Sequence, residues 1–264
     1  MLDTDAIRAR LGDEWPGAEF RSLGSVTSTN DLAWAWAQAG CPEGTAVFAE
    51  EQVQGRGRFG RAWHCPRGRG LLMSVVLRPP EAVVTAAHVT ALAALALAEA
   101  VEAETALPAA LRWPNDVTLG SRKVAGVLVE QRGGPAPCVV GMGLNVNVGR
   151  EEFPEELRGA ATSLAIEAGT DFSREEIAAE VLRRLARRYR DAVEGRWPQV
   201  AACWHERSSL VGRPATVASS GESYEGRLVE VDPLGRIELE MAGGERRVFR
   251  AESASLVLRG PPPS

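Results

Sequence analysis

The sequence predicts an α+β fold in two parts, a larger mixed-sheet domain over residues 1–207 and a small β-barrel over residues 208–264. Residues 81–103 read as a long helix that is apolar on most faces, and a second helix with one apolar face runs onward from Ser173. Around Ser208-Ser209-Leu210-Val211-Gly212 the texture changes to short β segments at even spacing, separated by turns such as Asp232-Pro233-Leu234-Gly235 and Ala242-Gly243-Gly244. A chain of 264 residues has room for one full core and a second, smaller one.

Composition narrows the classes of function. Hydrophobic content of 45% and charged content of 25% are ordinary for a folded soluble protein. A formal net charge of −5 argues against bulk nucleic-acid binding as the main task. Cys41, Cys65, Cys138 and Cys203 are scattered without CxxC or Cys/His spacing, so neither structural zinc nor a disulfide framework is expected, and a reduced cytoplasmic setting fits. His64, His88 and His205 are the only histidines, too few and too dispersed for a histidine-centred triad or metal cluster. No basic segment followed by an apolar one opens the chain, so no signal peptide is expected.

Taken in order, residues 1–23 read as a short helix, a Trp15-Pro16-Gly17 turn and an approach to a strand. Ser28-Thr29-Asn30-Asp31 is a set of capping residues in front of a helix that begins with Leu32 and Ala33. Residues 45–50 alternate as a strand and feed a glycine–arginine loop, and residues 70–77 form an apolar run with the length of a buried strand. Residues 81–103 approach the length of a membrane span. Thr85, His88, Thr90, Glu99 and Glu102 interrupt that run, so a central buried helix is expected instead. Residues 110–120 read as strand, break, strand, with Pro114 pointing to an edge or bulge because it lacks a ladder donor. Gly120-Ser121 turns into a second hairpin strand over residues 123–130, and residues 138–147 give another strand. Residues 151–171 read as a polar connection, and Ser173-Arg174-Glu175-Glu176 as a capping box. In the helix that follows, Ala178, Leu182, Leu185, Tyr189 and Val193 share one face, while Arg183, Arg184, Arg187, Arg188 and Arg190 form a solvated face partly paired with Glu180. A last helix runs over residues 197–206. Short strands follow at 215–218, 225–231, 236–241, 247–250 and 255–258, and residues 260–264 make a loose tail.

The chemistry gathers around Gly55-Arg56-Gly57-Arg58-Phe59-Gly60-Arg61-Ala62-Trp63. Glycine lets a ligand approach the backbone, and arginine presents a planar fork suited to carboxylate and phosphate oxygens. On spacing alone this is an anion-binding loop, an RG-type nucleic-acid segment or a solvated basic loop. The run resembles the GRGRxGRxW signature of biotin–protein ligases, the enzymes that attach biotin to carboxylase subunits. Four further blocks stand in that family's order: Ser28-Thr29-Asn30, Trp113-Pro114-Asn115-Asp116, residues 123–130, and Gly141-Met142-Gly143-Leu144-Asn145-Val146-Asn147. Together they cover roughly residues 28 to 148.

The resemblance implies a catalytic domain of the biotin/lipoate ligase type, similar to class II synthetases, followed by an SH3-like barrel. It implies ATP and Mg²⁺ as co-reactants and biotin as substrate. Ser28, Thr29 and Asn30 are expected on the ureido ring of biotin, and Gln52, Arg56, Gly57, Arg58, Lys123 and Gly126 are also expected to contact biotin. Arg61, Trp63, Asn115 and Asn145 are expected on the nucleotide, with Mg²⁺ on its phosphates. Arg58 and Lys123 are expected at the reacting centre, and Asp116 at the incoming lysine amine. Arg112 stands where the family usually has lysine, and no role is carried onto it. The implied partner is the biotin carboxyl carrier protein domain of acetyl-CoA carboxylase or a related carboxylase, and the arginine face of residues 183–190 is a lesser alternative as its docking surface. Only 27 residues precede Ser28, too few for the winged-helix domain of bifunctional relatives, so no DNA partner is expected. No membrane partner is expected either, and a weak homodimer is left open. Two rival readings are a lipoate–protein ligase, which shares the fold, and a non-catalytic RG-loop binding module. The second leaves Lys123, Asn115-Asp116 and the 141–147 block unexplained.

Overall fold

The computed structural model describes residues 1–15, 19–80, 84–132 and 137–258. Pro16 and Gly17 of the expected early turn and the 260–264 tail lie outside these. Asp3 starts the first helix, α1 (Thr4–Leu11), by accepting the backbone N–H groups of Asp5 and Ala6 at 3.0 Å each. There follow β1 (Phe20–Leu23), α2 (Thr29–Gln38), β2 (Ala46–Ala49), β3 (Leu71–Leu77), α3 (Ala86–Thr105), β4 (Ala109–Arg112), β5 (Asp116–Leu119), β6 (Arg122–Gln131) and β7 (Cys138–Leu144). The helices α4 (Leu164–Ala168), α5 (Arg174–Val193) and α6 (Trp197–Glu206) precede five strands: β8 (Pro214–Ser219), β9 (Glu222–Asp232), β10 (Arg236–Met241), β11 (Arg246–Arg250) and β12 (Ala254–Leu258).

Seven strands make one mixed sheet in the order β1-β2-β3-β7-β6-β5-β4. Only β1 and β2 run parallel; every other pairing in it is antiparallel. Helices cover both faces of its middle. Val47, Val76 and Val139 pack with Ala33, Trp34 and Ala37 of α2, whereas Ala46, Phe48, Met73, Val75 and Val140 belong to the larger core with α3 and α5. Strand β2 was expected to alternate, yet all four of its residues are buried, because a central strand between two helical layers has no solvent side. Pro114 lies in the turn between β4 and β5, and β4 is the sheet edge, in keeping with the missing ladder donor.

Helix α3 begins at Ala86, five residues later than the sequence suggests. Thr85 caps it there, with the His88 ring accepting the Thr85 N–H at 3.2 Å. It is long and apolar enough to cross a membrane, with a mean hydropathy of 1.4, but most of it is buried against the sheet and α5. The arginine face of α5 needs one correction. Arg183 and Arg184 pair with Glu180, but Arg188 is buried and forms a bidentate pair with Glu99 of α3. Residues 151–171 are not wholly irregular either. Ser163 accepts the Ile166 N–H at 3.1 Å and starts the short helix α4. The strand expected over 138–147 ends at Leu144, so Asn145 and Asn147 project from the connection beyond it.

The C-terminal strands form a second, antiparallel sheet in the order β11-β10-β9-β8-β12. They fall where the sequence places them, and no helix occurs after residue 210 among the described residues. Their inward residues, Ala215, Val217, Leu228, Ile237 and Leu239, make a small core of the SH3-like kind.

Candidate active site

Every residue singled out in the sequence as a site residue lines one cavity of about 730 Å³, bounded by α2, the 55–63 loop, the β4–β7 end of the large sheet and strand β12. The cavity has a polar, uncharged end and a cationic end.

The uncharged end is built where α2 meets β3. Ser28 occupies the N-cap position without a side-chain capping bond, and Ser28, Thr29 and Asn30 are all buried. Ser74, the single polar residue of β3, is fully buried beneath them. Its hydroxyl lies 2.6 Å from Asn30 Oδ1 and 2.7 Å from Thr29 Oγ1, and Thr29 Oγ1 lies 3.0 Å from Gln52 Oε1. Both amides are oriented by other bonds. Asn30 Nδ2 donates to Glu130 at 2.8 Å, and Gln52 Oε1 accepts the Thr29 N–H at 2.8 Å. Three oxygen–oxygen contacts therefore share two hydroxyl protons. Thr29, Asn30 and Gln52 of this row line the cavity with amide and hydroxyl groups.

Beside this row, Arg56 donates to Asp31 at 2.8 Å through Nη1 and again through Nη2, and reaches both Glu130 oxygens at 3.4 Å. The hydrogen bonds from Arg56 hold the Asp31 carboxyl below its ordinary pKa, and those to Asp31 raise that of Arg56. Read in the sequence as an anion binder, Arg56 is committed by its side chain to tying the base of the loop to α2 and β6. The loop closes on itself as well: Gly57 N–H donates to Arg61 O at 2.7 Å and Trp63 N–H to Gly55 O at 2.9 Å. Its tip passes through positive φ at Phe59 (57°) and Gly60 (70°).

At the cationic end, Lys123 is the second residue of β6 and Asp116 opens β5. Their side chains pair at 2.6 Å, and Arg112 Nη2 donates to the other Asp116 oxygen at 3.0 Å. The Lys123 ammonium also lies over the Trp63 ring, 5.3 Å from its centre. Gly126 and Gly143 make room for these two. A Cβ on Gly126 would come within 2.9 Å of Lys123 Nζ, and one on Gly143 within 2.6 Å of the Trp63 indole. Arg58 reaches Asn115 Oδ1 at 3.5 Å and donates to two barrel carbonyls, those of Ala251 and Ala254. Burial pulls its pKa below the ordinary arginine value, which still leaves a cation at neutral pH. Arg61 is exposed and makes no ion pair among the described residues.

Asn115 also braces the fold, its Nδ2 donating to Val127 O at 2.6 Å. Asn145 donates to Thr162 O at 2.9 Å, while its Oδ1 and the Trp63 indole N–H are buried without partners. Such orphaned groups are costly to maintain unless a ligand completes them. Burial pushes the Cys65 and Cys138 thiols up to about 12, so neither is a thiolate nucleophile at neutral pH. Among the described residues no three His, Cys, Asp or Glu side chains gather as a metal-ligand set. Sequence reasoning gave no site role to Ser74, Asp31, Glu130 or Arg112, which hold the residues it found. For Ser74 the signal was present, a lone hydroxyl in an otherwise apolar strand.

A sequence profile of the Biotin/lipoate A/B protein ligase family matches residues 23–147. The chain is 34% identical over 263 residues to the biotin--[acetyl-CoA-carboxylase] ligase of Mycobacterium tuberculosis, covering 92% of this chain and 95% of that protein. It is 30% identical over 254 residues to the bifunctional ligase/repressor BirA of Bacillus subtilis, covering 95% of this chain and 78% of that protein. The solved structure of a biotin protein ligase from Aquifex aeolicus in complex with biotin and ATP superposes with a TM-score of 0.80 at 29% identity, over 91% of this chain and 99% of that one.

Proposed function

The chain belongs to the biotin/lipoate A/B protein ligase family, and we propose that it is an ATP-dependent biotin–protein ligase, which activates biotin as biotinyl-5′-AMP and transfers it to a lysine of a carboxylase's biotin carrier domain. One observation carries this reading. A single cavity joins a row of oriented amide and hydroxyl groups to a cluster of cations. A cyclic urea has N–H donors for the first end, and a carboxylate beside a triphosphate needs the second.

In the first step a biotin carboxylate oxygen bonds to the α-phosphorus of ATP, and pyrophosphate leaves with the electron pair of the broken P–O bond. No base is required, because a free carboxylate with a pKa of about 4–5 is already ionised at neutral pH. What opposes the step is charge. Two like charges about 4 Å apart repel by about 4 kcal/mol at an effective dielectric of 20. Lys123 and Arg58 supply the opposing charge at the reacting centre, and Arg61 faces the outer phosphates. Mg²⁺ arrives on the triphosphate as part of the substrate and further neutralises it. Trp63 and the open Asn145 Oδ1 take the adenine side, with Asn115 beside them. Thr29, Asn30, Ser28 and Gln52 hold the ureido ring, and Gly57 and Gly126 let the ligand lie against backbone.

In the second step a lysine amine of the carrier domain bonds to the acyl carbon and AMP leaves. Asp116 orients that amine and accepts its proton. The carrier enters past the barrel, whose strand β12 forms part of the cavity rim. We put the boundary between the two domains at residues 207 and 208, after α6 ends at Glu206. Incubation with ATP, biotin and an isolated carrier domain tests the reading. Streptavidin-reactive label is expected on one carrier lysine. Label with lipoate in place of biotin, or none with either, would contradict it.

A further inference from the structure

Asp116 stands between two cations and has one oxygen on each. Lys123 Nζ is 2.6 Å from Oδ1, and Arg112 Nη2 donates to Oδ2 at 3.0 Å. A carboxylate engaged in this way has its Oδ1 turned toward an ammonium, so it is poorly placed to receive a second amine. Lys123 meanwhile has another task under the ligase reading, on which this inference rests: its ammonium must face the substrate carboxylate and the α-phosphate. The two arms differ in freedom. Lys123 is fixed at its backbone, with its N–H donating to Ala160 O at 2.8 Å and its carbonyl accepting the Thr162 N–H at 2.9 Å, but a flexible four-carbon stem carries its charge. Arg112 faces Asp116 directly across the β4–β5 hairpin and makes no other ion pair among the described residues. Its neighbour Leu111 is tied down by an N–H bond to Arg207 O at 2.8 Å.

We infer that Arg112 is a positioning residue for acyl transfer: it pins Asp116 Oδ2 while Lys123 turns from Oδ1 onto the anion, leaving Oδ1 aimed into the cavity at the incoming lysine amine. The amine nitrogen bonds to the acyl carbon, the acyl C–O bond to AMP breaks with its electron pair leaving on the AMP phosphate, and the amine proton passes to Asp116 Oδ1 and on to water. Arg112 touches neither substrate. It acts only through Asp116, and a planar guanidinium fixes the carboxylate's direction better than a lysine point charge would.

The test measures the two half-reactions separately in the full chain: pyrophosphate release from ATP and biotin, and transfer from added biotinyl-AMP to the carrier domain. Arg112→Gln is expected to lower the transfer kcat by roughly 30-fold, the scale of a misplaced general base, with the carrier KM within about threefold. Adenylate formation is expected to fall less than about fivefold, and Arg112→Lys to restore most of the transfer loss. In an Asp116→Asn background the same Arg112→Gln change is expected to cost no further transfer rate. Equal losses in both half-reactions, a loss in carrier KM alone, no rescue by lysine, or an additive loss in the Asp116→Asn background would overturn the inference. If Arg112→Gln does not fold, Arg112→Met with and without Asp116→Asn decides in the same way. Failure of the unaltered chain to release pyrophosphate with biotin would instead sink the ligase reading.

Discussion

Lys123 and Arg58 bring charge to the same place by different means, and they should fail differently. Lys123 is held on both sides of its backbone and stands in the cavity before any ligand arrives. Its loss removes a preorganised charge, so Lys123→Ala should slow adenylate formation by roughly 2–4 kcal/mol of barrier. Arg58 comes from the loop tip and is held by barrel carbonyls, so part of its contribution is closure over a formed adenylate. Arg58→Gly should still make adenylate but release it early. Added lysine-rich bystander protein would then carry label on a streptavidin blot, whereas label confined to the carrier would contradict this division. At this scale the sequence identified the cavity residues themselves but not the groups that orient them. Arg112 and Asp116 meet because of a strand register, and Ser74 meets Asn30 because α2 crosses β3; neither is written in local spacing.

The 55–63 loop carries three glycines, so fixing it is entropically costly. Ordering costs roughly 1–2 kcal/mol per residue fixed. The structure divides that cost unequally. The base is already closed by backbone bonds and by the Arg56–Asp31–Glu130 group, and Arg58 is held by barrel carbonyls, which leaves the exposed 59–61 tip to be settled by ligand. Trypsin should therefore cut after Arg61 in the free protein and more slowly with biotin and ATP, with Arg56 resistant in both; equal rates at Arg61 would contradict this. A second element-level contact, between Glu50 after β2 and Arg174 at the start of α5, carries a pH signature. Burial alone would raise the Glu50 pKa, but the hydrogen bonds and charge of Arg174 outweigh it and lower it below the ordinary 4.5. A depressed carboxylate pKa contributes stability that is present above about pH 4.5 and fades as pH falls through the folded-state value. Glu50→Gln should thus melt below the parent at pH 7, with the gap closing below pH 4.5; a constant gap would refute it. Helix and strand positions were legible wherever periodicity ran long, as in α3, α5 and β6. The burial of all of β2 and the inward turn of Arg188 were not, because each depends on a second layer of helices or a partner on another helix.

Across the whole molecule, the two sheets meet at the active cavity. The large sheet supplies both of its ends, and the barrel supplies part of the rim through β12 and the Ala251 and Ala254 carbonyls that receive Arg58. The order of the parts was legible because helices give way to short strands near residue 208; the contact between them was not, since carbonyl acceptors leave no mark in a sequence. The account's central claim is that this cavity joins biotin to AMP before any carrier is present. Biotin-dependent exchange of labelled pyrophosphate into ATP measures that step alone. Exchange is expected with biotin, not with lipoate, and strongly reduced in Lys123→Ala. No exchange with biotin, or the same exchange without it, would contradict the claim.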